Sequence, residues 1–432
     1  MTTSWNRIPR VEHAAETAPA FRPPTLPETP RPLLAHGMGR SYGDCCLNAG
    51  GSLLHTRGLD RFVAFDIDTG VITAEAGVTL DELLTLSVPR GWFPAVVPGT
   101  RYVTLGGAVA NDVHGKNHHV AGSFGAHVRS LTLHRSDAGR VEVSPEQHPR
   151  WFAATIGGLG LTGLIETVTL QLMPVTSAWM SVWSERFHSL DDFWALDARA
   201  RREWPYTVAW IDCLADGGRH PAGRGIYSAG RHAVTAPPHA RFREARRRVP
   251  VDPPFSLVNR PGLRAFNELY FRQPLRRSPH PAHHRGWLFP LDGIRDWNRI
   301  YGRRGFYQYQ CVVPERTARD ATAELLRQIA RSGQGSFLAV LKTFGRQPPA
   351  GMLSFPRPGT TLALDFPDRG ATTHALFERL DRVVREAHGA LYPAKDARMP
   401  GAMFRAGFPE WIEFAKLIDP EFSSSFWRRV TT

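Results

Sequence analysis

The chain has 432 residues, a net charge of +13 and a pI near 10.1, with 42% hydrophobic and 22% charged residues. That length serves two or three cores, and the composition is that of an ordinary soluble globular protein. No apolar run approaches the ~18–20 residues of a membrane span, and the polar stretch from Met1 to Pro19 holds no secretory h-region; the protein is expected in the cytoplasm or peripheral on a membrane.

Four cysteines, Cys45, Cys46, Cys213 and Cys311, with no C-x-x-C among them, exclude a disulfide framework and a thiolate zinc site. The positive charge is spread along the chain without a recognisable nucleic-acid module, so nucleic acid is not an expected partner. Of the 53 basic residues only Lys116, Lys342, Lys395 and Lys416 are lysines. In so arginine-rich a chain, a retained lysine suggests a need for a compact, titratable ammonium.

In chain order, Pro23, Pro24, Pro27, Pro30 and Pro32 make residues 1–32 read as an extended lead-in rather than a packed element. A glycine-rich loop follows, AHGMGRSYGD from Ala35 to Asp44. Residues 61–77 read as a hairpin turning at Asp68-Thr69-Gly70. Thr79 and Glu82 form a capping box for a helix with Leu80, Leu83 and Leu84 on its apolar face. A second glycine-rich stretch spans 94–125. LTLH and RVEV, around Asp137 and Gly139, predict another hairpin, and Leu164 to Leu172 alternates as a strand with Val168, Leu170 and Leu172 on one face.

After Pro174 the glycine clusters thin. Residues 215–290 include a basic, Pro- and His-rich stretch, part of which reads as a mobile loop. Beyond it, strands and helices alternate, with amphipathic helices near 317–332 and 371–388 and Gly389 as a C-cap. Period two puts Gln308 and Gln310 on one strand face, Lys342 on the face of Leu338 and Val340, and Thr361, Ala363 and Asp365 on another common face. Such a face is either a polar wall for a hydroxylated ligand or a solvated sheet surface.

Gly158-Leu159-Gly160-Leu161-Thr162-Gly163 fits G-x-G-x-x-G, but a strand pattern follows instead of the helix a dinucleotide site needs. The loops around Gly37–Gly43 and Pro98–Gly107 could grip a pyrophosphate through backbone amides, or simply turn the chain. In HGKNHH, Gly115 argues against a helix that would place His114 and His118 on one face, and no metal site is expected.

The series HGMGRSYGD, PGTRYVTLGGAVANDVHGKNHHVAGSFG and GGLGLTGLIETVTL resembles the FAD-binding half of the vanillyl-alcohol-oxidase (PCMH-type) flavoproteins. WNRIYGRRGFYQYQCVVP, LKTFG, LDFP and LYPAKD are similar to the decaprenylphosphoryl-β-D-ribose 2-oxidase family within it. The likeness runs from about residue 31 to the C-terminus and thins between roughly 215 and 285. It implies an α+β fold: a PCMH-type FAD-binding domain of two α+β subdomains (1–174), a cap or substrate domain with a helix-covered antiparallel sheet (175–390), and a C-terminal segment (391–432) returning to the FAD domain.

Carried over residue by residue, the resemblance implies that Ala35, His36, Gly37, Met38, Gly39, Arg40, Ser41, Tyr42, Gly43, Asp44 and Cys45, with Gly99, Thr104, Leu105, Gly106 and Gly107, hold the cofactor's pyrophosphate. Asn111, Asp112, Val113 and His114 run beside the flavin, and Ile165 and Tyr392 complete the contacts. Lys395, His114, Tyr42 and Gln310 are the implied catalytic residues; Lys116, Gln308, Lys342, Asp365 and, at the pocket mouth, Tyr301 are the implied substrate contacts. Arg40 stands where many members carry a histidine that bonds FAD covalently, so the FAD is expected to be non-covalent. Ala363 and Thr361 stand where the ribose oxidases often carry cysteine and asparagine, which leaves the sugar open.

The implied activity is hydride transfer from a sugar hydroxyl to flavin N5, leaving a ketone. The implied substrate is a polyprenyl-phosphate ribose oxidised at its 2-hydroxyl, the first half of an epimerisation serving cell-wall synthesis. A lipid-linked sugar phosphate fits the positive charge and a peripheral membrane contact. An NAD(P)H-dependent reductase is an implied partner. An aldonolactone or alditol oxidase, or a natural-product sugar oxidase, is the alternative within the superfamily; a basic nucleic-acid-binding protein is the distant alternative.

Overall fold

The structure is a computed structural model that describes residues 2–432 apart from 20–23, 216–217, 219–221, 239–240, 245–246 and 277. Two antiparallel sheets carry the architecture. The first is ordered Phe62–Asp66, Val71–Glu75, Leu164–Pro174, Val128–Arg135, Gly139–Val143, with Trp92–Pro94 pairing the far end of Leu164–Pro174. Both hairpins expected from the turn residues lie here. Alternation along Leu164–Pro174 buries Val168, Leu170 and Leu172 against Ile72, Leu131 and Leu133, while Thr73 and Thr169 hydrogen-bond on the other face at 2.9 Å. The helix Leu80–Ser87 begins at its capping box: Glu82 N–H donates to Thr79 Oγ1 at 3.2 Å and Thr79 N–H to the Glu82 carboxylate at 2.7 Å.

The lead-in is more than an extended approach. Ala15–Thr17 joins Ser52–His55 and Leu33–His36 in a parallel three-stranded sheet. The side chains of Ser4 and Asn6 are buried, and Trp5 packs edge-on to Trp297 at 5.7 Å. The cluster of prolines that suggested a bare lead-in starts at Pro23, so the N–H groups of Ala15–Thr17 remain free for a ladder.

The second sheet has eight antiparallel strands in the order His280–His283, Trp179–Phe187, Gly225–His232, Tyr206–Ile211, Ala339–Phe344, Gly359–Pro367, Phe306–Val313, Ala390–Leu391. Helices Leu190–Ala200, Ala318–Ser332 and Ala371–Glu386 pack on it. Tyr309 donates its hydroxyl proton to Asp381 of the last helix at 3.0 Å, and Phe377 packs on Tyr307, Tyr309 and Phe366. The alternate residues, Gln308, Gln310, Val340, Lys342, Thr361 and Ala363, therefore point away from these helices.

Two expectations are corrected here. The left-handed residue ending Ala371–Glu386 is His388, at φ 57°, not Gly389; Gly389 is glycine because a Cβ there would strike the Val312 carbonyl oxygen. The 215–290 stretch read as partly mobile holds the strand Gly225–His232, the helix Arg260–Arg272 and the edge strand His280–His283, where Pro281 is tolerated; positions 216–217, 219–221, 239–240, 245–246 and 277 of that reading lie outside the described residues.

After Leu391 the chain leaves the large sheet. Phe422 bridges Leu33, and Arg429 donates to Asp44 at 2.7 and 2.8 Å and to Asp396 at 2.9 Å. Among the described residues, no helix is long and apolar enough to cross a membrane.

Candidate active site

The sheet face turned away from the helices forms one wall of a cavity of about 1030 Å³. Loops carrying Met38–Tyr42, Val97–Thr104 and Asn111–Lys116 form the facing wall. Single ligand sites usually occupy about 300–1,000 Å³, so this one has room for more than one small molecule. A second cavity of about 80 Å³ shares Arg40, Ser41, Thr104 and Asn111 with the first and is walled by Ala35, Gly37, Gly39, Cys45, Gly106, Gly107 and Ile165. The two cavities form one groove entering between the glycine-rich loops.

That groove suits a phosphate-bearing cofactor on three observations. The backbone N–H groups of Met38, Gly39, Arg40 and Ser41 have no hydrogen-bond partner among the described residues, making a run of donors for anionic oxygens. Asn111 donates through Nδ2 to the Gly107 carbonyl at 2.8 Å and leaves its Oδ1 buried and unpartnered. Gly99 lines the large cavity, and a Cβ there would meet no protein atom within 4 Å, so the backbone at this position stays open to the cavity.

The amides at the start of Leu105–Ala110 are different: those of Leu105, Gly106 and Gly107 are spent on Val78 O, Ala76 O and Thr104 Oγ1.

Of the residues the sequence proposed for the cofactor, Met38, Gly99, Val113, His114, Tyr42 and Tyr392 line the large cavity beside the shared residues. His36, Gly43, Asp44, Leu105 and Asp112 do not line either cavity. His36 binds the Cys46 carbonyl through Nδ1 at 2.9 Å. Gly43 lies against the Asp396 carbonyl. Asp44 pairs with Arg429. Leu105 is in the core. Asp112 accepts from Ser354 Oγ at 2.6 Å and Gly125 N–H at 2.9 Å. Burial pushes the Cys45 thiol up to about 12, so it is an inert wall.

The deep end of the cavity is polar. His114 is boxed by Phe344, Phe355 and Tyr392 at centroid distances of 4.9, 6.0 and 5.5 Å. Lys342 Nζ lies 2.8 Å from His114 Nδ1 and donates to the Gly115 carbonyl at 2.9 Å. Gln310 Nε2 lies 3.0 Å from His114 Nε2 and 3.2 Å from Thr361 Oγ1.

Burial holds His114 well below the usual imidazole range, helped by the charge of Lys342. Burial also lowers Lys342 strongly, helped by Lys116 and Lys395. The arrangement is self-consistent with both groups neutral: Gln310 donates to Nε2, and Nδ1 carries the ring proton and donates to the Lys342 amine.

Lys116 is pulled down to about 8 by burial, and its Nζ donates to the Leu288 carbonyl at 2.7 Å. Lys395 Nζ sits 3.6 Å from the centroid of the Tyr42 ring. It lines the cavity and has no hydrogen-bond partner among the described residues. Burial lowers Lys395, partly offset by the Asp365 charge. Asp365 is raised by burial and accepts from Gln308 Nε2 at 2.7 Å.

Asp365 and Tyr301 were expected on the cavity wall and lie behind it. Asp365 is 1% exposed and reaches the cavity through Gln308, whose Oε1 is buried without a partner. Tyr301 stacks on Phe306 at 4.2 Å, buried rather than at the mouth. His114 and His118 diverge: His118 Nδ1 accepts from Gly345 N–H at 3.1 Å, and among the described residues no three His, Cys, Asp or Glu side chains form a metal-holding group.

Sequence reasoning missed the cavity residues Val182, Ser184, Val208, Ile226 and Ser228 of the large sheet, Trp5 of the lead-in, and the rim residues Arg248, Arg276 and Arg295. The strand residues alternate along Trp179–Phe187, Tyr206–Ile211 and Gly225–His232, a period-two signal that could have found them.

The FAD-binding domain family matches residues 25–144. The decaprenylphosphoryl-β-D-ribose oxidase of Mycolicibacterium smegmatis is 35% identical over 424 residues, 93% of this chain and 89% of that protein. L-Gulonolactone oxidase of Mus musculus is 30% identical over 140 residues, 32% of this chain and 31% of its own. A D-arabinono-1,4-lactone oxidase, so assigned in Neurospora crassa, is 25% identical over 160 residues, 37% of this chain and 28% of its own.

With the α+β fold and the groove, these matches define an FAD-dependent oxidoreductase of the sugar-oxidising, PCMH-type class. Within that class, the chain belongs to the decaprenylphosphoryl-β-D-ribose oxidase family.

Proposed function

We propose that the protein oxidises the 2-hydroxyl of a polyprenyl-phosphate ribose to the ketone, the first half of an epimerisation. The observation that carries this reading is Lys395. Of the three cavity lysines, Lys116 and Lys342 are tied to protein carbonyls, whereas the Lys395 amine faces the cavity with no hydrogen-bond partner among the described residues. A partly buried amine facing the cavity in that position is suited to a ligand oxygen.

Bound FAD supplies the hydride acceptor. The neutral fraction of Lys395 takes the hydroxyl proton. The resulting ammonium is stabilised by the Tyr42 ring and the Asp365 charge. Gln308 holds Asp365 in place and offers its free Oε1 to a sugar hydroxyl. His114, clamped by Lys342 and Gln310, supports the ring system beside it without charge. Residues 1–174 with 391–432 serve as the FAD-holding part in this reading, and 175–390 as the cap. The FAD is held without a covalent bond, since Arg40 offers no nucleophilic ring nitrogen in the first loop. A lipid-linked substrate brings the protein to a membrane surface, and an NAD(P)H-dependent reductase is the partner that completes the epimerisation.

The test is anaerobic addition of polyprenyl-phosphate ribose to the purified yellow protein. Bleaching of the flavin band by that compound, and not by soluble sugars, is the expected result. The similarity to L-gulonolactone oxidase favours a second reading, an aldonolactone or alditol oxidase; bleaching by soluble sugars alone would select it.

A further inference from the structure

Two arginines at the outer rim of the cavity have no role in the deep site. Arg276 and Arg295 are exposed and line the cavity. Neighbouring arginines are engaged: Arg248 pairs with Asp296 at 2.6 Å, Arg299 donates to the Pro250 carbonyl at 2.8 Å, and Arg285 donates to Thr85 at 2.9 Å. The side chains of Arg276 and Arg295 have no hydrogen-bond or ion-pair partner among the described residues. The carboxylates on the same rim do not neutralise them. Asp292 accepts from Thr100 Oγ1 at 2.6 Å and Arg101 N–H at 2.9 Å, and Asp296 is taken by Arg248.

Around the two guanidiniums the rim is apolar, with Pro274, Leu275 and Ile294 on the cavity wall. Ile294 is 41% exposed. Guanidinium forks match phosphate oxygens, and an exposed apolar strip beside them suits a hydrocarbon chain. A ligand that is polar at one end, anionic in the middle and apolar at the other would satisfy the deep floor, the two arginines and the strip in turn.

We propose that Arg276 and Arg295 form a phosphate subsite at the cavity mouth, from which an alkyl or prenyl chain of the same ligand leaves over Leu275 and Ile294. The proposal deepens the substrate reading above and rests on it for the identity of the sugar.

The test uses the FAD-loaded protein and probes that are not turned over. Octyl phosphate, octyl glucoside and inorganic phosphate are titrated against the flavin spectrum of wild type and of the Arg276→Gln/Arg295→Gln variant. The expected result is octyl phosphate binding at least about tenfold weaker in the variant, octyl glucoside binding equal in both, and inorganic phosphate binding more weakly than octyl phosphate to wild type. Equal octyl phosphate binding by the two proteins overturns the proposal. So does inorganic phosphate binding as tightly as octyl phosphate, which would mark a site for free phosphate. Unchanged FAD content and melting temperature in the variant guard against misfolding. If polyprenyl-phosphate ribose fails to bleach wild-type flavin, the substrate reading falls, and the octyl phosphate titration still judges the subsite.

Discussion

Lys342 Nζ and His114 Nδ1 lie 2.8 Å apart although 228 positions separate them in the chain. The contact joins a loop following the glycine-rich helix Leu105–Ala110 to a strand of the eight-stranded sheet, and with the bonds from Lys342 to the Gly115 carbonyl and from Gln310 to the other ring nitrogen of His114 it ties the two halves of the cavity together. Lys342 is buried and His114 largely so, and loss of hydration drives both toward their neutral forms.

Replacing Lys342 with Met removes the partner of Nδ1 and lets the His114 ring turn. Flavin reduction by the sugar substrate is expected to slow on the order of 10²-fold, with FAD still bound. Anaerobic stopped-flow on the holoenzyme reads the rate, and an unchanged rate would show that the ring needs no clamp.

Lys395→Ala should cost about 10²–10⁴-fold in the same rate, the usual worth of a positioned acid–base group. Burial lowers the Lys395 amine below the ordinary lysine range of about 10.4. A base works in its neutral form, so the wild-type rate should rise with pH through the lowered value and level off above it. The variant should lose that limb. Lys395→Arg should not rescue it, because a guanidinium stays protonated.

Gly99→Leu tests the cofactor groove. A side chain there meets no protein atom within 4 Å of its Cβ and grows into the cavity. The purified protein is expected to carry much less flavin, read as the ratio of visible to ultraviolet absorbance, while the apoprotein melts at the wild-type temperature.

Lys116→Met separates burial from charge. The folded-state value of Lys116 is about 8, below the unfolded value of about 10.4. In that window the unfolded chain holds the extra proton, so the lysine's contribution to stability rises with pH and is lost as pH falls through about 8. Thermal melts across roughly pH 7–10.5, which spans the shift, should therefore show the methionine variant gaining most over wild type at the acid end. A pH-independent difference would mean that Lys116 is not buried in the folded protein.

Arg429→Met removes the cation shared by Asp44 and Asp396, which are both buried while Arg429 is partly exposed. Breaking a fully buried pair costs about 3–5 kcal/mol; the partial exposure brings the expected loss to about 2–3 kcal/mol, measured by urea unfolding of the apoprotein.

Much of the site could be read from the chain because its chemistry rests on local patterns. Period two placed Gln308, Gln310, Lys342 and Thr361 on one side of their strands, and the large sheet presents them to one cavity. The lysine count singled out Lys116, Lys342 and Lys395, and all three line it. Asp365 follows the same period yet lies behind Gln308, because the side chain of its cross-strand partner reaches over it. Tyr301 was misplaced because nothing local shows that Phe306 captures its ring. Arg248 and Arg276 lie in the stretch where motifs fade and Arg295 just beyond it, and only the packing of Arg260–Arg272 and Ile294–Arg295 around the mouth gives them a common place.

By itself the sequence determined the elements: hairpins set by turn residues, a helix set by its capping box, strand faces set by alternation, and loops made of glycine where a backbone must stay bare. These depend on neighbours within a few positions, where steric and hydrogen-bonding preferences act directly. Tertiary structure alone decided which of three cavity lysines kept a free amine, which aspartate stood behind a glutamine, and which arginines were left unpaired. Those outcomes depend on carbonyls, rings and carboxylates brought from distant parts of the chain, and on how far burial shifts each charge once they arrive.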